Sequence, residues 1–131
     1  MNSQAKEAPA SSANAYCEAL LADDEEYARL ALRWDRLEQV MIKHHKWLEL
    51  SDDEQRALPE ARETHEIDAR LTVLSFEREK ILPMLPAMAA ADRPTLMLKL
   101  KVVLMLLLPD EQPEARALLD STLRDIVVLW R

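Results

Sequence analysis

The chain has 131 residues, no glycine, one cysteine and a formal net charge of −7, with a pI near 5.0. The missing glycine excludes a phosphate-binding loop, a dinucleotide fingerprint and a nucleophile elbow, all of which need it where the backbone turns sharply or approaches a ligand. The acidity argues against binding duplex DNA or RNA, whose phosphates demand a basic surface.

Hydrophobic residues make up 49% of the chain and aromatics 5%, so Leu, Ala, Met and Val must fill the core. Those residue types suit helices better than sheets. Cys17 has no internal disulfide partner, which fits a reducing cytoplasm. The first residues lack the apolar core of a signal peptide, and the longest apolar run, Val102 to Leu108, falls far short of the ~20 residues that span a bilayer. The expectation is a cytoplasmic protein with no membrane contact.

Residues 1–13 are small and polar, with Pro9 and paired serines, and read as a disordered tail; residues 14–131 read as a single helical-bundle domain. A first helical turn starts near Asn14 with Tyr16, Ala19, Leu20 and Leu21. The acidic cluster Asp23 to Glu26 then either opens a new helix or forms a solvated turn of one long helix.

From Tyr27 the pattern is regular. Tyr27, Leu30, Trp34, Leu37, Met41, His44 and Leu48 recur three and four apart, which predicts a long amphipathic helix with an apolar seam. With Trp47, these residues form the candidate interaction surface, Trp34 and Trp47 serving as aromatic anchors for a partner.

Ser51 and Glu54 are spaced as a capping box and predict a short helical segment up to Leu58, where Pro59 forces a turn and begins the next helix. That helix carries Ile67, Leu71, Leu74, Ile81 and Leu82 at helical spacing and ends at Pro83 and Pro86. Met84 to Asp92 reads as a connection in which Ala87 to Ala91 form one helical turn.

Pro94 to Leu108 is the most hydrophobic stretch. As a helix it has no polar face, because Lys99 and Lys101 point about 200° apart at 100° per residue, and this predicts a central helix buried on all sides. The alternation of Leu96, Leu98 and Leu100 with lysines also suits a strand, but no partner strand exists elsewhere. Pro113 opens a last helix whose core face is Ala115, Leu119, Thr122, Ile126 and Leu129. The predicted fold is all-α: an antiparallel bundle of three to four main helices, with a short capped segment after the long first one.

Residue chemistry adds little. The histidines lack the Glu-x-x-His pairs of a bundle metal site; His45 with Glu49 supplies two ligands, too few for zinc. His44 lies on the seam and reads as a polar register-setter. Cys17 has no histidine near it in sequence, and no serine or threonine lies in a nucleophile motif. No catalytic, cofactor-binding or metal site is expected. The run Lys43-His44-His45-Lys46-Trp47 joins basic residues to an aromatic, as single-strand binders do, but within an acidic whole.

The segments Arg33-Trp34-Asp35-Arg36-Leu37-Glu38, Pro94 to Val102 and Leu118 to Ile126 resemble a loose group of small, uncharacterised all-helical proteins of alphaproteobacteria. Thr95 and Lys99 match residues common in that group, whereas Met97 stands where glycine is frequent. The resemblance implies a bacterial helical protein and carries no activity with it. The functional expectation is a non-enzymatic protein that binds a protein partner or a second copy of itself. The alternatives are a small-ligand carrier or small enzyme, its pocket lined by Met84, Met88, Met97 and Met105, and a regulator with weak nucleic-acid contact.

Overall fold

The structure, a computed structural model, describes residues 2–130, with side chains described from Ala13 onward. The tail expected over residues 1–13 thus lies outside the described side chains except at Ala13, which is buried. Among the described residues every regular element is helical: α1 (Asn2–His45), a 3-10 turn (Trp47–Glu49), α2 (Asp52–Ala57), α3 (Pro59–Ile81), a second 3-10 segment (Leu82–Ala87), α4 (Arg93–Leu106) and α5 (Pro113–Leu129). The fold is all-α, with four main helices and one short capped helix between the first two. The acidic cluster at Asp23 lies inside α1, so it is a turn of one long helix and not a helix start. No helix among the described residues is long and apolar enough to cross a membrane.

The chain divides into two compact units, Asp23–Lys80 and Met1–Ala22 with Ile81–Arg131. In the first, α1 and α3 are antiparallel. Glu26 pairs with Arg70 and Arg33 with Glu63, so numbers rise on one helix as they fall on the other. Leu37 and Met41 on α1 and Thr64, Ile67 and Leu74 on α3 are buried, again three, four or seven apart. Thr64 satisfies its hydroxyl by donating to the Ala61 carbonyl at 2.9 Å.

Helix α1 stops earlier than its apolar seam predicts. Lys46 adopts φ 51°, ψ 48°, in the left-handed region, which a residue with a Cβ enters at a cost of roughly 1–2 kcal/mol. The chain turns there, so Trp47 and Leu48 lie in the 3-10 turn and not on the helix, and Trp34 and Trp47 do not share an element. Gln55 secures the turn by donating from Nε2 to the Trp47 carbonyl at 2.9 Å.

The capping box forms as its spacing predicts. Glu54 N–H donates to Ser51 Oγ at 3.2 Å and Ser51 N–H donates to Glu54 Oε1 at 3.1 Å. The Ser51 N–H, and after it the Ser51 hydroxyl, hold the Glu54 carboxyl below the usual carboxylate range. Leu58 is extended and Pro59 is the first residue of α3, because proline's ring excludes helical angles in its predecessor while its own φ suits a first turn.

The second unit is built on a cluster of Cys17, Leu20, Ile81, Leu85 and Val102, with Tyr16, Leu21, Leu98 and Met105 packed against it. Leu85 belongs to the second 3-10 segment, so the helical turn expected at Ala87 to Ala91 sits earlier in the chain. Asn14 donates from Nδ2 to Thr95 Oγ1 at 3.3 Å, and Asp92 caps α4 by accepting from Thr95 N–H at its Oδ1, at 2.8 Å. The Thr95 hydroxyl and amide together hold the Asp92 carboxyl below its ordinary range.

Helices α4 and α5 form an antiparallel hairpin closed at both ends by arginines. Arg116, in the first turn of α5, donates from Nη1 to the carbonyls of Leu104 and Leu107, at 2.7 and 2.8 Å. Arg93, the first residue of α4, donates to the Trp130 carbonyl at 2.9 Å and lies 5.3 Å from the centre of its ring. Each helix thereby receives a cation at its C-terminus, where the last carbonyls lack partners.

Two expectations for this unit are overturned. Helix α4 is not buried all round: only Thr95 and Val102 are buried, and Leu96 and Val103 are exposed. Apolar composition sets what burial is worth, but one neighbouring hairpin helix and one core cluster cannot surround a cylinder. Lys99, moreover, does not reach water freely but donates from Nζ to the Met88 carbonyl at 2.7 Å. On α5 the inward face centres on buried Leu123 with Arg116, Leu119 and Ile126 half-buried, while Ala115, Thr122 and Leu129 are exposed. The helix is rotated to bring Arg116 onto the α4 carbonyls. An Arg116→Met substitution keeps the apolar stem and removes both donors, so it should lower stability by about 1–2 kcal/mol in chemical denaturation.

Candidate functional site

The candidate surface expected on α1 is partly turned inward. Leu37 and Met41 are buried, Leu30, Trp34 and Trp47 half-buried, and Tyr27, His44 and Leu48 exposed, Leu48 at 85%. The helical phase carries the inward line from Leu37 through Met41 to His45, so His45 faces α3 and His44 faces solvent. The seam drawn through His44 is therefore one residue out of phase at its end. His45 Nε2 lies 3.3 Å from Glu60 Oε1, and Glu49, its expected metal co-ligand, sits beyond the Lys46 turn.

Two bidentate arginine–carboxylate rungs cross between α1 and α3, with further polar contacts toward each end. Arg70 grips Glu26 with two hydrogen bonds, at 2.6 and 2.9 Å, and Arg33 grips Glu63 with two, at 2.7 and 3.0 Å. Each arginine holds its carboxylate partner's pKa down and has its own raised in return. The two pairs are seven residues apart on both helices and of opposite polarity. Toward one end of the ladder Asp23 meets Glu77, and toward the other His45 meets Glu60. None of these long-range pairs is legible from local spacing, because 30 to 44 residues separate the partners of the arginine rungs.

Beyond the His45 end, an open cleft of about 750 Å³ is walled by Trp47, Gln55, Arg56, Arg62, Thr64 and His65, with Asp52, Glu66 and Asp68 also lining it. The arginines and His65 are matched by three carboxylates, and Arg56 is already bonded to Asp53 at 3.0 Å, so the cleft presents no single charge to a ligand. No group of three or more His, Cys, Asp or Glu side chains among the described residues is placed to hold a metal ion. Cys17 is fully buried in the second unit's cluster, and burial pushes its thiol pKa up, the Lys99 charge opposing that weakly. Nucleophilic thiols need the opposite shift.

The surface that sequence patterning missed lies on α4. Leu96, Leu100 and Val103 follow one another at spacings of four and three on the side turned away from Val102, and Leu107, the extended residue that caps the helix, comes four further on. Leu96 and Val103 are exposed and Leu100 and Leu107 half-buried. No charged residue interrupts the strip. It was hidden because neighbouring positions are equally apolar, so only packing distinguishes the outward line. The last turn of α5 adds exposed Val127, Val128 and Leu129.

No family model, curated protein or solved structure matches the chain.

Two predictions follow from these placements. Cys17 should resist Ellman's reagent in the native protein and react stoichiometrically in denaturant; rapid native labelling would contradict its burial. Exchanging the charges of one rung, Arg33→Glu with Glu63→Arg, should restore a melting temperature that either single change lowers by a few degrees, and a double variant no better than the singles would show that the rung does not couple.

Proposed function

We propose that this chain is a non-enzymatic helical interaction protein that pairs with a second copy of itself. The observation that carries the reading is the outward strip of α4. The spacings of four and three residues between Leu96, Leu100 and Val103 are those of a seam packed against another helix, and Leu96 and Val103 in that line are exposed. A second copy presents the same seam, so an antiparallel pairing sets leucine and valine against leucine and valine with no charge to desolvate. The seam expected on α1 is a poorer choice, because Leu37 and Met41 are buried within the chain.

The resemblance to alphaproteobacterial helical proteins supports a bacterial source, and the unpaired Cys17 supports a reducing cytoplasm. The small-ligand reading comes second, favoured by the cleft beside Trp47, whose volume is in the range of ligand sites.

Four side chains a copy are fewer than a standard interface uses, so a dimer with a dissociation constant of roughly 10–100 μM is expected. Sedimentation equilibrium across that range should show wild-type dimer and monomeric Val103→Glu, with unchanged helical circular dichroism. A wild-type chain that remains monomeric overturns the reading, as does a Val103→Glu variant that dimerises equally well.

A further inference from the structure

The outward face of α1 carries a strip that neither the packing within the chain nor the pairing through α4 uses. Arg29, Leu32, Arg36, Val40 and Lys43 are all exposed. At 100° per residue they fall within an arc of about 80°, turned away from the buried Leu37 and Met41. The cations recur every seven residues, and Leu32 and Val40 fill the spaces between them. The acids of the same span, Asp35 and Glu38, lie outside the arc.

None of the three cations forms an ion pair among the described residues, although Arg33 on the same helix does. Arg29 acts on Glu26 by charge, but that carboxylate is already held at both oxygens by Arg70. A chain with a formal net charge of −7 thus leaves three positive charges uncommitted on one line of one helix. Aligned with its own image on a second copy, the strip opposes like charges. It has no aromatic ring on which a base could stack, and a phosphate backbone would leave Leu32 and Val40 uncovered. Another helix matches it. Seven residues advance a helix by about 10.5 Å, so carboxylates seven apart on a partner meet the three cations in turn, and apolar residues between them cover Leu32 and Val40.

We propose that the outward strip of α1 docks an acidic amphipathic helix of a partner protein, Arg29, Arg36 and Lys43 pairing with its carboxylates and Leu32 and Val40 with its apolar side chains. The inference is independent of self-association through α4. The pairs form at the solvent edge, where charge contributes more to partner choice and encounter rate than to affinity. A dissociation constant of roughly 100 μM is expected.

Fluorescence anisotropy of a labelled synthetic helical peptide titrated with the full chain tests this. The peptide carries three glutamates seven apart with leucines between them, and a control peptide has the same residues in shuffled order. The patterned peptide should bind at least about fivefold more tightly than the shuffled one, and Arg36→Glu, with unchanged helical circular dichroism, should weaken that binding at least about tenfold. Raising salt from about 50 to 500 mM should weaken it as well, whereas Val103→Glu should leave it unchanged. Equal binding of the two peptides overturns the proposal. So does an Arg36→Glu chain that binds as wild type does, binding that is lost in Val103→Glu, or a single-stranded thymidine oligonucleotide that binds more tightly than the patterned peptide.

Discussion

A helix must hand its last carbonyls to some donor, and this chain has no glycine with which to curl back and supply its own amides. That constraint organises the structure. At the end of α1 a lysine takes the left-handed conformation that glycine would adopt without strain. At the ends of α4 and α5 the donors come from another helix: Arg116 reaches Leu104 and Leu107, and Arg93 reaches Trp130. Since both arginines lie in first turns, they meet a neighbour's C-terminus only if the neighbour runs the other way. The α4–α5 hairpin is thus antiparallel for a hydrogen-bonding reason as well as for its short connection.

The two units are held by different forces. Around Cys17, closely packed apolar side chains meet a few hydrogen bonds that satisfy buried polar groups, as where Asn14 reaches Thr95. Between α1 and α3, apolar residues such as Leu37, Met41, Ile67 and Leu74 are flanked by charges in matched pairs. The first arrangement leaves apolar surface outside, on α4, because α4 has more apolar directions than neighbours. The second leaves apolar side chains outside as well, among them Leu32, Ile42, Val73 and Phe76, between its charged pairs.

What could be read from the chain beforehand follows the range of the interaction responsible. The Ser51–Glu54 box, the bend at Leu58 and the start at Pro59 depend on residues one to three positions apart, and all three are where spacing puts them. The stop at Lys46 was not legible, since nothing in Lys46-Trp47 favours left-handed backbone; the turn is held by Gln55, eight residues on. The choice of His45 over His44 as the inward residue needed the helix phase to within one position. The outward strip of α4 needed knowledge of which sides find partners. Neither the Glu26–Arg70 rung nor the Arg33–Glu63 rung has any local signature.

Those two rungs also act as a code for alignment. A seam of apolar residues spaced by heptads matches its partner almost as well when slid by seven positions, so apolar packing alone leaves the pairing of α1 with α3 ambiguous. Sliding α3 one way would set Arg33 against Arg70 and Glu26 against Glu77; sliding it the other way would set Glu26 against Glu63. Both misalignments oppose like charges, whereas the native one opposes unlike charges at both rungs. Weak surface pairs thus select one alignment from three, through the repulsion they would impose on the other two.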